Sequence, residues 1–296
     1  MLSIVKMTKS PKIRIIPLLK LSVMSLLENK IILFPFFIIF SLHLLILEIL
    51  YFFPRWPLNV FFGPIIRTAK WGGEEFLHYP ANFVLIPKLF QFFQMPMFIV
   101  VNSFFIGAAI AIIAGINSDR RITLKSIWKE AGASYLHLVL ASAIIFFLAT
   151  ASSGYYDKII IRRALMIHSQ TGPYFIMKMT VLRGAPYFKL FLNVPISTLF
   201  AYLMPIIIME KKKIFSALVE NFKILFRCFI LTFFVVLLPT LFFVLMFILG
   251  SSFNPLETIP ELTVLFLILT ILVMTLIDAV TYTALTTYYL LRKEVR

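Results

Sequence analysis

The chain of 296 residues is poor in cysteine, histidine and acidic side chains. Its single cysteine, Cys228, excludes an intrachain disulfide and any metal site built from several cysteines. The four histidines, His43, His78, His137 and His168, show neither the HxxH nor the HExxH spacing of zinc hydrolases. We therefore predict that the protein holds no metal and no cofactor.

Charged residues are also scarce, at 14% of the chain, whereas about a quarter is usual for a soluble domain. Hydrophobic residues make up 61%, and the mean hydropathy is +0.97. This composition predicts an integral membrane protein and excludes a secreted disulfide scaffold and a disordered tail. The net charge of +15 is assigned to membrane topology rather than to nucleic acid, because each segment between apolar runs is too short for a folded basic domain.

Six uninterrupted apolar runs are long enough to cross about 30 Å of hydrocarbon as helices. They cover residues 31–53, 89–115, 135–153, 190–209, 228–250 and 262–285. Their hydrophobicity is continuous rather than alternating, which predicts helices rather than the strands of a barrel. Pro96 predicts tilt or a kink within the second run, and the same holds in their own helices for Pro35, Pro195, Pro205 and Pro239. The predicted fold is an all-α polytopic bundle with six spans, forming one integral membrane domain over residues 1–296.

The distribution of lysine and arginine predicts the orientation of these spans. The segments on the side of the N-terminus hold 18 basic residues, and the opposite set holds 10. Basic residues are retained in the cytoplasm, so we predict a multi-pass protein of the inner membrane with both termini cytoplasmic. The opposite set includes a basic loop at 154–189, whose apolar residues near Ile160 predict a helix on the outer leaflet or against a partner subunit.

Each predicted cytoplasmic segment before an outward span, including residues 1–30, contains a short amphipathic stretch. The apolar stripes are Leu18, Leu19, Val23, Leu26 and Leu27; then Leu124, Ile127, Trp128 and Ala131; then Phe215, Leu218, Phe222 and Leu225. With basic residues on the flanks, this spacing predicts interfacial helices. The Glu-Asn pairs at 28–29 and 220–221 suggest three repeated units. Helices of similar composition also show such similarity by chance.

A resemblance to known families rests on the sequence PIIIMEKKKIFSALVENFKILF. An apolar span end with proline at 205–210 is followed by a basic turn at 211–213 and a short Ala/Ser-containing helix at 216–221. This arrangement resembles uncharacterised bacterial six-span membrane protein families. It is also similar to the membrane domain that precedes some glycerophosphodiester phosphodiesterases. No phosphodiesterase domain is present in this chain, so the resemblance implies a layout and assigns no catalytic residue.

Few polar side chains fall within the predicted spans. Each is a candidate functional residue, because placing an ionisable group within the bilayer costs free energy. The candidates are His43, Glu48, Asn102 and Asp278, with Asn193 near the start of the fourth span. One hypothesis is an ion or proton pathway formed by His43, Asn102 and Asp278. The other is that these groups only form hydrogen bonds between helices. Glu48 lies near the outer end of its span, where the headgroups can solvate it.

The basic residues Arg120, Arg121, Lys211, Lys212 and Lys213 are predicted to contact lipid headgroups. With no catalytic constellation in the sequence, we predict a non-catalytic structural, assembly or accessory subunit of a membrane complex. The alternative is a permease-like transporter subunit, and a membrane-embedded lipid enzyme is the least favoured. The predicted partners are membrane lipids and other membrane protein subunits, and not nucleic acid.

Overall fold

The structure is a computed structural model that describes residues 14–68, 77–118, 123–167, 172–250 and 259–294. Within these ranges the chain forms α-helices and no β-strand. The helices are α1 (Ile15–Glu28), α2 (Leu33–Tyr51), α3 (Leu58–Thr68), α4 (Asn82–Pro96), α5 (Ser103–Asn117), α6 (Leu124–Ala133), α7 (Tyr135–Tyr156), α8 (Arg162–Leu165), α9 (Gly172–Leu199), α10 (Leu203–Glu210), α11 (Ile214–Thr240), α12 (Phe242–Gly250) and α13 (Leu262–Glu294).

Six helical segments of the described chain are long and apolar enough to cross a membrane. In chain order, spans 1 to 6 are Lys30–Tyr51, Asn82–Asn117, Tyr135–Leu165, Gly172–Glu210, Ile214–Gly250 and Leu262–Lys293. The predicted all-α, six-span fold class is therefore confirmed. The protein is a multi-pass integral membrane protein.

Spans 3 and 4 are longer than the sequence predicts. The helix that starts at Tyr135 continues to Leu165 rather than ending at residue 153, and span 4 begins at Gly172 rather than at residue 190. Most of the predicted loop 154–189 is thus helical. Hydropathy marks where a chain leaves the hydrocarbon, but a helix ends only where capping or backbone chemistry stops it.

Helix α5 forms the centre of the bundle and packs against α2, α6, α7, α10 and α13. It is rich in alanine and glycine, and Ile106 to Ile113 are all buried. An added Cβ at Gly107 would lie 2.5 Å from Cδ1 of Leu138 and 3.3 Å from Cδ1 of Ile208. Small residues on α5 therefore allow α7 and α10 to approach its backbone closely.

A second core lies between α2, α3, α4 and the first half of α13. Phe62 of α3 meets Phe53 and Phe93 at ring-centroid distances of 6.0 and 6.4 Å. Helix α3 comes from the apolar segment between spans 1 and 2, and these aromatic contacts cover one of its faces. The other face remains exposed at Val60 and Phe61.

The opposite end of the bundle carries the three short helical segments and the C-terminal end of α13. Helix α1 packs against α13 and α11, and α6 packs against α5 and α7. The third segment, 214–227, is continuous with span 5 but is separated from it by a kink at Cys228, whose φ of −140° and ψ of 25° are not helical. We call this end, with the turn 211–213, the charged end.

The faces that these short helices bury match the predicted apolar stripes in part. The stripe residues Leu18, Leu26, Ile127, Ala131 and Leu225 are buried, whereas Val23, Leu27 and Phe215 are exposed. Lipid accepts apolar side chains as readily as the protein core does, so hydrophobicity alone does not identify the packing face. Buried small and polar residues such as Ser22 and Asn221 also lie on it. Whether these helices lie in the headgroup layer stays a prediction.

Pro96 is followed directly by a π-helical turn, Met97–Asn102, that links α4 to α5 within one span. The proline has no N–H and its ring obstructs the preceding turn, so the backbone changes its hydrogen-bond pattern there. The carbonyl of Val100 accepts hydrogen bonds from the hydroxyls of Ser103 at 3.0 Å and Tyr135 at 3.1 Å. The predicted irregularity therefore takes the form of a π turn.

Candidate functional site

Two of the predicted intramembrane polar residues are buried. The Nδ1 of His43 donates to the carbonyl of Ile39 at 2.8 Å, and the imidazole meets the ring of Phe90 edge-on. Asn102, in the π turn, is also buried, and its side-chain oxygen has no hydrogen-bond partner among the described residues. His43 thus bonds within its own helix, and the Asn102 oxygen is left without a donor.

The other two predicted residues are more accessible. Glu48 is exposed, and Asp278 is half-buried one turn before Tyr282 on α13. Across the described residues, no hydrogen bond or ion pair joins His43, Asn102 and Asp278 to one another. An ion pathway through these three residues stays a prediction.

The strongest polar arrangement lies elsewhere, at an interruption of span 4 between α9 and α10. Helix α9 ends at Leu199, and α10 begins at Leu203. Pro205 in the first turn of α10 cannot donate a hydrogen bond to the preceding turn. A helix interrupted within a membrane leaves backbone groups that other parts of the protein must satisfy.

Asn221 of α11 supplies these hydrogen bonds. Its Oδ1 accepts from the backbone N–H of Tyr202 at 3.0 Å, and its Nδ2 donates to the carbonyl of Leu199 at 2.6 Å. The residue is completely buried. One amide side chain therefore takes the place of missing helical hydrogen bonds on both sides of the interruption.

The kink of span 5 lies against the same interruption. Thr232 donates its hydroxyl hydrogen to the carbonyl of Cys228 at 3.0 Å, so the hydroxyl of Tyr202 is the donor in its 2.7 Å contact with Thr232. The guanidinium of Arg292 on α13 donates to the carbonyl of Ile224 at 3.1 Å and lies 3.3 Å from the Cys228 sulfur. The breaks in spans 4 and 5 are thus joined to each other and to span 6.

Glu210, the last residue of α10, makes the charged part of this arrangement. Its Oε1 accepts from the hydroxyl of Tyr289 at 2.5 Å and from the ammonium of Lys293 at 3.1 Å, while Oε2 pairs with Lys212 at 2.6 Å. Lys212 also pairs with Glu220. Hydrogen bonds to these two carboxylates raise the pKa of Lys212.

We call this set the polar cluster, and it connects α10, α11 and α13 at the charged end. Its members are Tyr202, Glu210, Lys212, Glu220, Asn221, Cys228, Thr232, Tyr289, Arg292 and Lys293. The hydroxyl, amide and charged groups bond mainly to one another. Such an arrangement is suited to fixing helices in place.

The basic residues that are predicted to contact lipid headgroups differ from one another in exposure and pairing. Lys211 and Lys213 are exposed, and Lys211 adopts a left-handed backbone with φ of 52° in the turn after α10. Lys212 instead pairs with Glu210 and Glu220, which reduces its availability to lipid phosphates. Arg120 and Arg121 lie outside the described residues. Headgroup binding by the exposed lysines stays a prediction.

At the end of the bundle opposite the charged end, α7, α8 and the first half of α9 form a helical hairpin. We call its described residues, 154–167 and 172–189, the far hairpin. Its two arms are joined by an ion pair of 2.7 Å between Lys189 and Asp157 and by stacked rings of Tyr156 and Phe188, with centroids 4.6 Å apart. Apolar side chains are exposed along it, namely Tyr155, Ile160, Leu165, Met166, Tyr174, Phe175, Ile176, Met177 and Phe188.

The central members of the polar cluster, Tyr202 and Asn221, are not among the site residues that the sequence predicts. Asn221 belongs to the second of the two Glu-Asn pairs, and the Asn residues of the two pairs differ in role. Asn29 follows the end of α1 and donates to Ser25 of the same helix, whereas Asn221 lies within α11 and bonds to span 4. Pro205, where the sequence predicts tilt or a kink, lies at the interruption.

The described residues contain no group of three or more histidine, cysteine or acidic side chains that could hold a metal ion. Comparison with known protein families, characterised proteins and solved structures finds no match for this chain. The resemblance to six-span bacterial families and to the membrane domain of glycerophosphodiester phosphodiesterases stays a prediction.

Proposed function

We propose that this integral membrane protein is a non-catalytic accessory subunit that binds a partner membrane protein through the far hairpin. The observation that carries the proposal is the row of exposed apolar side chains on the far hairpin, which we infer to extend beyond the hydrocarbon core. Span 3 has 31 residues, and α9, the first helix of span 4, has 28, which correspond to about 46 and 42 Å. Both exceed the roughly 30 Å of a hydrocarbon core.

Exposed apolar side chains on such an extension favour a protein partner. Tyr174 and Ile176, at the start of α9, keep 67% and 65% of their surface accessible. Exposed apolar patches of this kind are typical of interaction sites. Aromatic residues, methionine and arginine are also the residue types that interfaces favour, and the far hairpin contains all three.

The charge of the far hairpin specifies the chemistry of the partner. Its basic side chains include the exposed pair Arg162 and Arg163, and Asp157 is the acidic side chain, already paired with Lys189. Opposite charges increase association rates and select partners. The partner therefore presents an acidic surface bordered by apolar residues.

The alternative function, a permease-like transporter subunit, is favoured by the interrupted spans 4 and 5, because broken helices often form transport sites. The polar cluster argues against it, since the groups at the interruption satisfy each other and cross-link three spans. Proton uptake into vesicles that contain the purified protein, abolished by Asp278→Asn, would favour this alternative.

The accessory-subunit proposal is tested by charge reversal on the far hairpin. We expect the tagged full-length protein, extracted in a mild detergent, to elute with a stoichiometric partner, and the double variant Arg162→Glu, Arg163→Glu to lose it. A photo-crosslinker at Ile176 should attach to an acidic segment of that partner. Mass spectrometry of the eluted complex and of the crosslinked product is the measurement.

The matched control is the double reversal Arg14→Glu, Lys20→Glu, which changes the charge equally at the other end of the bundle. Arg14 directly precedes α1, Lys20 lies within it, and both are exposed. This control should retain the partner. Elution of the wild-type protein alone, or equal loss of the partner in both double variants, would contradict the proposal.

A further inference from the structure

A surface groove lies where α1 ends and span 1 begins. It has a volume of about 350 Å³ and is lined by Leu26, Leu27, Lys30, Leu33, Phe34 and Phe37. Helix α1 ends at Glu28, the chain turns at Asn29, and Lys30 starts the next helical segment. The turn therefore places one cation at the rim of an otherwise apolar groove.

The apolar walls of the groove are accessible from outside the protein. Leu27 and Phe37 keep 69% and 63% of their surface exposed, and Phe34 is exposed as well. Because Phe34 and Phe37 belong to span 1, we place these two side chains against hydrocarbon. The volume accommodates roughly a dozen groups the size of a water molecule or a methylene. An acyl chain therefore fits the groove in both polarity and size.

Aromatic residues beside the groove indicate its depth in the membrane. Phe34 meets Trp128 of α6 edge-on at a centroid distance of 6.5 Å, and Trp128 stacks on Phe104 at 5.5 Å with an interplanar angle of 7°. Tryptophan is enriched at the boundary between hydrocarbon and headgroups. We therefore infer that Lys30 lies near the phosphate level, with the apolar walls on the hydrocarbon side.

We propose that the groove is a binding site for a phospholipid with an anionic headgroup. One acyl chain lies along Leu26, Leu33 and Phe37, and the ammonium of Lys30 pairs with the headgroup phosphate. Glu28 is exposed nearby but does not line the groove, so the rim charge is positive. This inference is independent of the far hairpin, which lies at the other end of the bundle.

The experiment uses Trp128 as a reporter in the full-length protein, with Trp56 and Trp71 replaced by phenylalanine. The protein is placed in phosphatidylcholine vesicles containing a minor fraction of brominated phosphatidylglycerol or of brominated phosphatidylcholine. Bromine on the acyl chains quenches tryptophan fluorescence at close contact. We expect brominated phosphatidylglycerol to reach half-maximal quenching at a membrane fraction about fivefold lower than brominated phosphatidylcholine. This ratio corresponds to about 1 kcal/mol, the contribution of one basic residue near an anionic surface.

Three variants test whether the groove causes the preference for phosphatidylglycerol over phosphatidylcholine. Lys30→Gln should abolish it, Lys30→Arg should preserve it, and Lys20→Gln, an exposed basic residue of α1 that does not line the groove, should leave it unchanged. Equal quenching by the two lipids would overturn the proposal, as would equal loss in Lys30→Gln and Lys20→Gln. Native mass spectrometry of retained phosphatidylglycerol provides a second measurement, with Lys30→Gln expected to lose the bound lipid.

Discussion

At the scale of single residues, Asn221 has the largest structural role that we identify. Its amide bonds to the N–H of Tyr202 and the carbonyl of Leu199, so it holds the two halves of span 4 in register. A membrane interior offers no water to satisfy these groups if the amide is removed. The interruption of span 4 therefore depends on a side chain from span 5.

We predict that Asn221→Leu destabilises the protein by about 1–3 kcal/mol, because it leaves two buried backbone groups without partners. The melting temperature of the purified protein in a mild detergent, followed by size-exclusion chromatography after heating, measures the effect. Asn29→Leu is the matched control, since Asn29 makes one hydrogen bond within its own helix. A melting temperature for Asn221→Leu as high as that of Asn29→Leu would contradict this role.

Sequence reasoning found individual polar residues in the spans but not the pairs that they form. Glu210 binds Tyr289 and Lys293, which follow it by 79 and 83 residues. Periodicity and spacing describe neighbours along a helix, whereas these contacts depend on which spans pack together. Of the predicted intramembrane residues, His43 and Asn102 are buried, and a functional role for them stays a prediction.

At the scale of helices, the small residues of α5 allow five other helices to pack around it. Gly107 is the closest point of approach, since any Cβ there would meet Leu138 of α7 and Ile208 of α10. Van der Waals contact is a principal attraction between helices in lipid, so close backbone approach determines which helices pair. The position of α10, and with it the polar cluster, depends on this contact.

We predict that Gly107→Val destabilises the protein by about 1–3 kcal/mol, because the added atoms overfill the contact between α5, α7 and α10. The melting temperature in detergent is again the measurement. Gly132 of α6 provides the control, since a Cβ there would meet nothing within 4 Å. Gly132→Ala should be neutral or stabilise by up to about 1 kcal/mol through helix propensity, and an equal loss in both variants would contradict the packing argument.

The number of spans was predictable from hydropathy, because six apolar runs of this length are stable in the lipid bilayer and not in water. The ends of the helices were not. Helices α7 and α9 continue beyond the apolar part of their spans, and α11 begins well before its apolar run. The kink at Cys228 nevertheless coincides with the predicted start of the fifth span, where the apolar run begins.

At the scale of the whole molecule, both ends of the bundle carry basic residues. The charged end combines the polar cluster with exposed Lys211 and Lys213, and the far hairpin carries its own basic residues. The positive-inside rule depends on the difference in the number of basic residues between the two sides, and basic residues on both sides reduce that difference. The predicted cytoplasmic location of the charged end therefore needs a direct experiment.

We predict that a cysteine at residue 213 is protected from a membrane-impermeant maleimide in intact cells, whereas one at residue 174 is labelled. Lys213→Cys probes the exposed turn of the charged end, and Tyr174→Cys probes the far hairpin. Mass-tag shifts on gels, before and after permeabilisation, measure the labelling. The parent protein, whose Cys228 is buried, is the control. The reverse pattern would invert the orientation.

Helices α1 and α13 are the first and last helices described, and they pack against each other. Ribosomes make the chain from its N-terminus, so α1 emerges long before its partner exists. During that interval the surface around Leu18, which is buried in the finished protein, has no α13 to cover it. The bundle therefore closes only when translation of the sixth span is complete, and nascent chains that stall earlier leave this surface open to insertion factors and proteases.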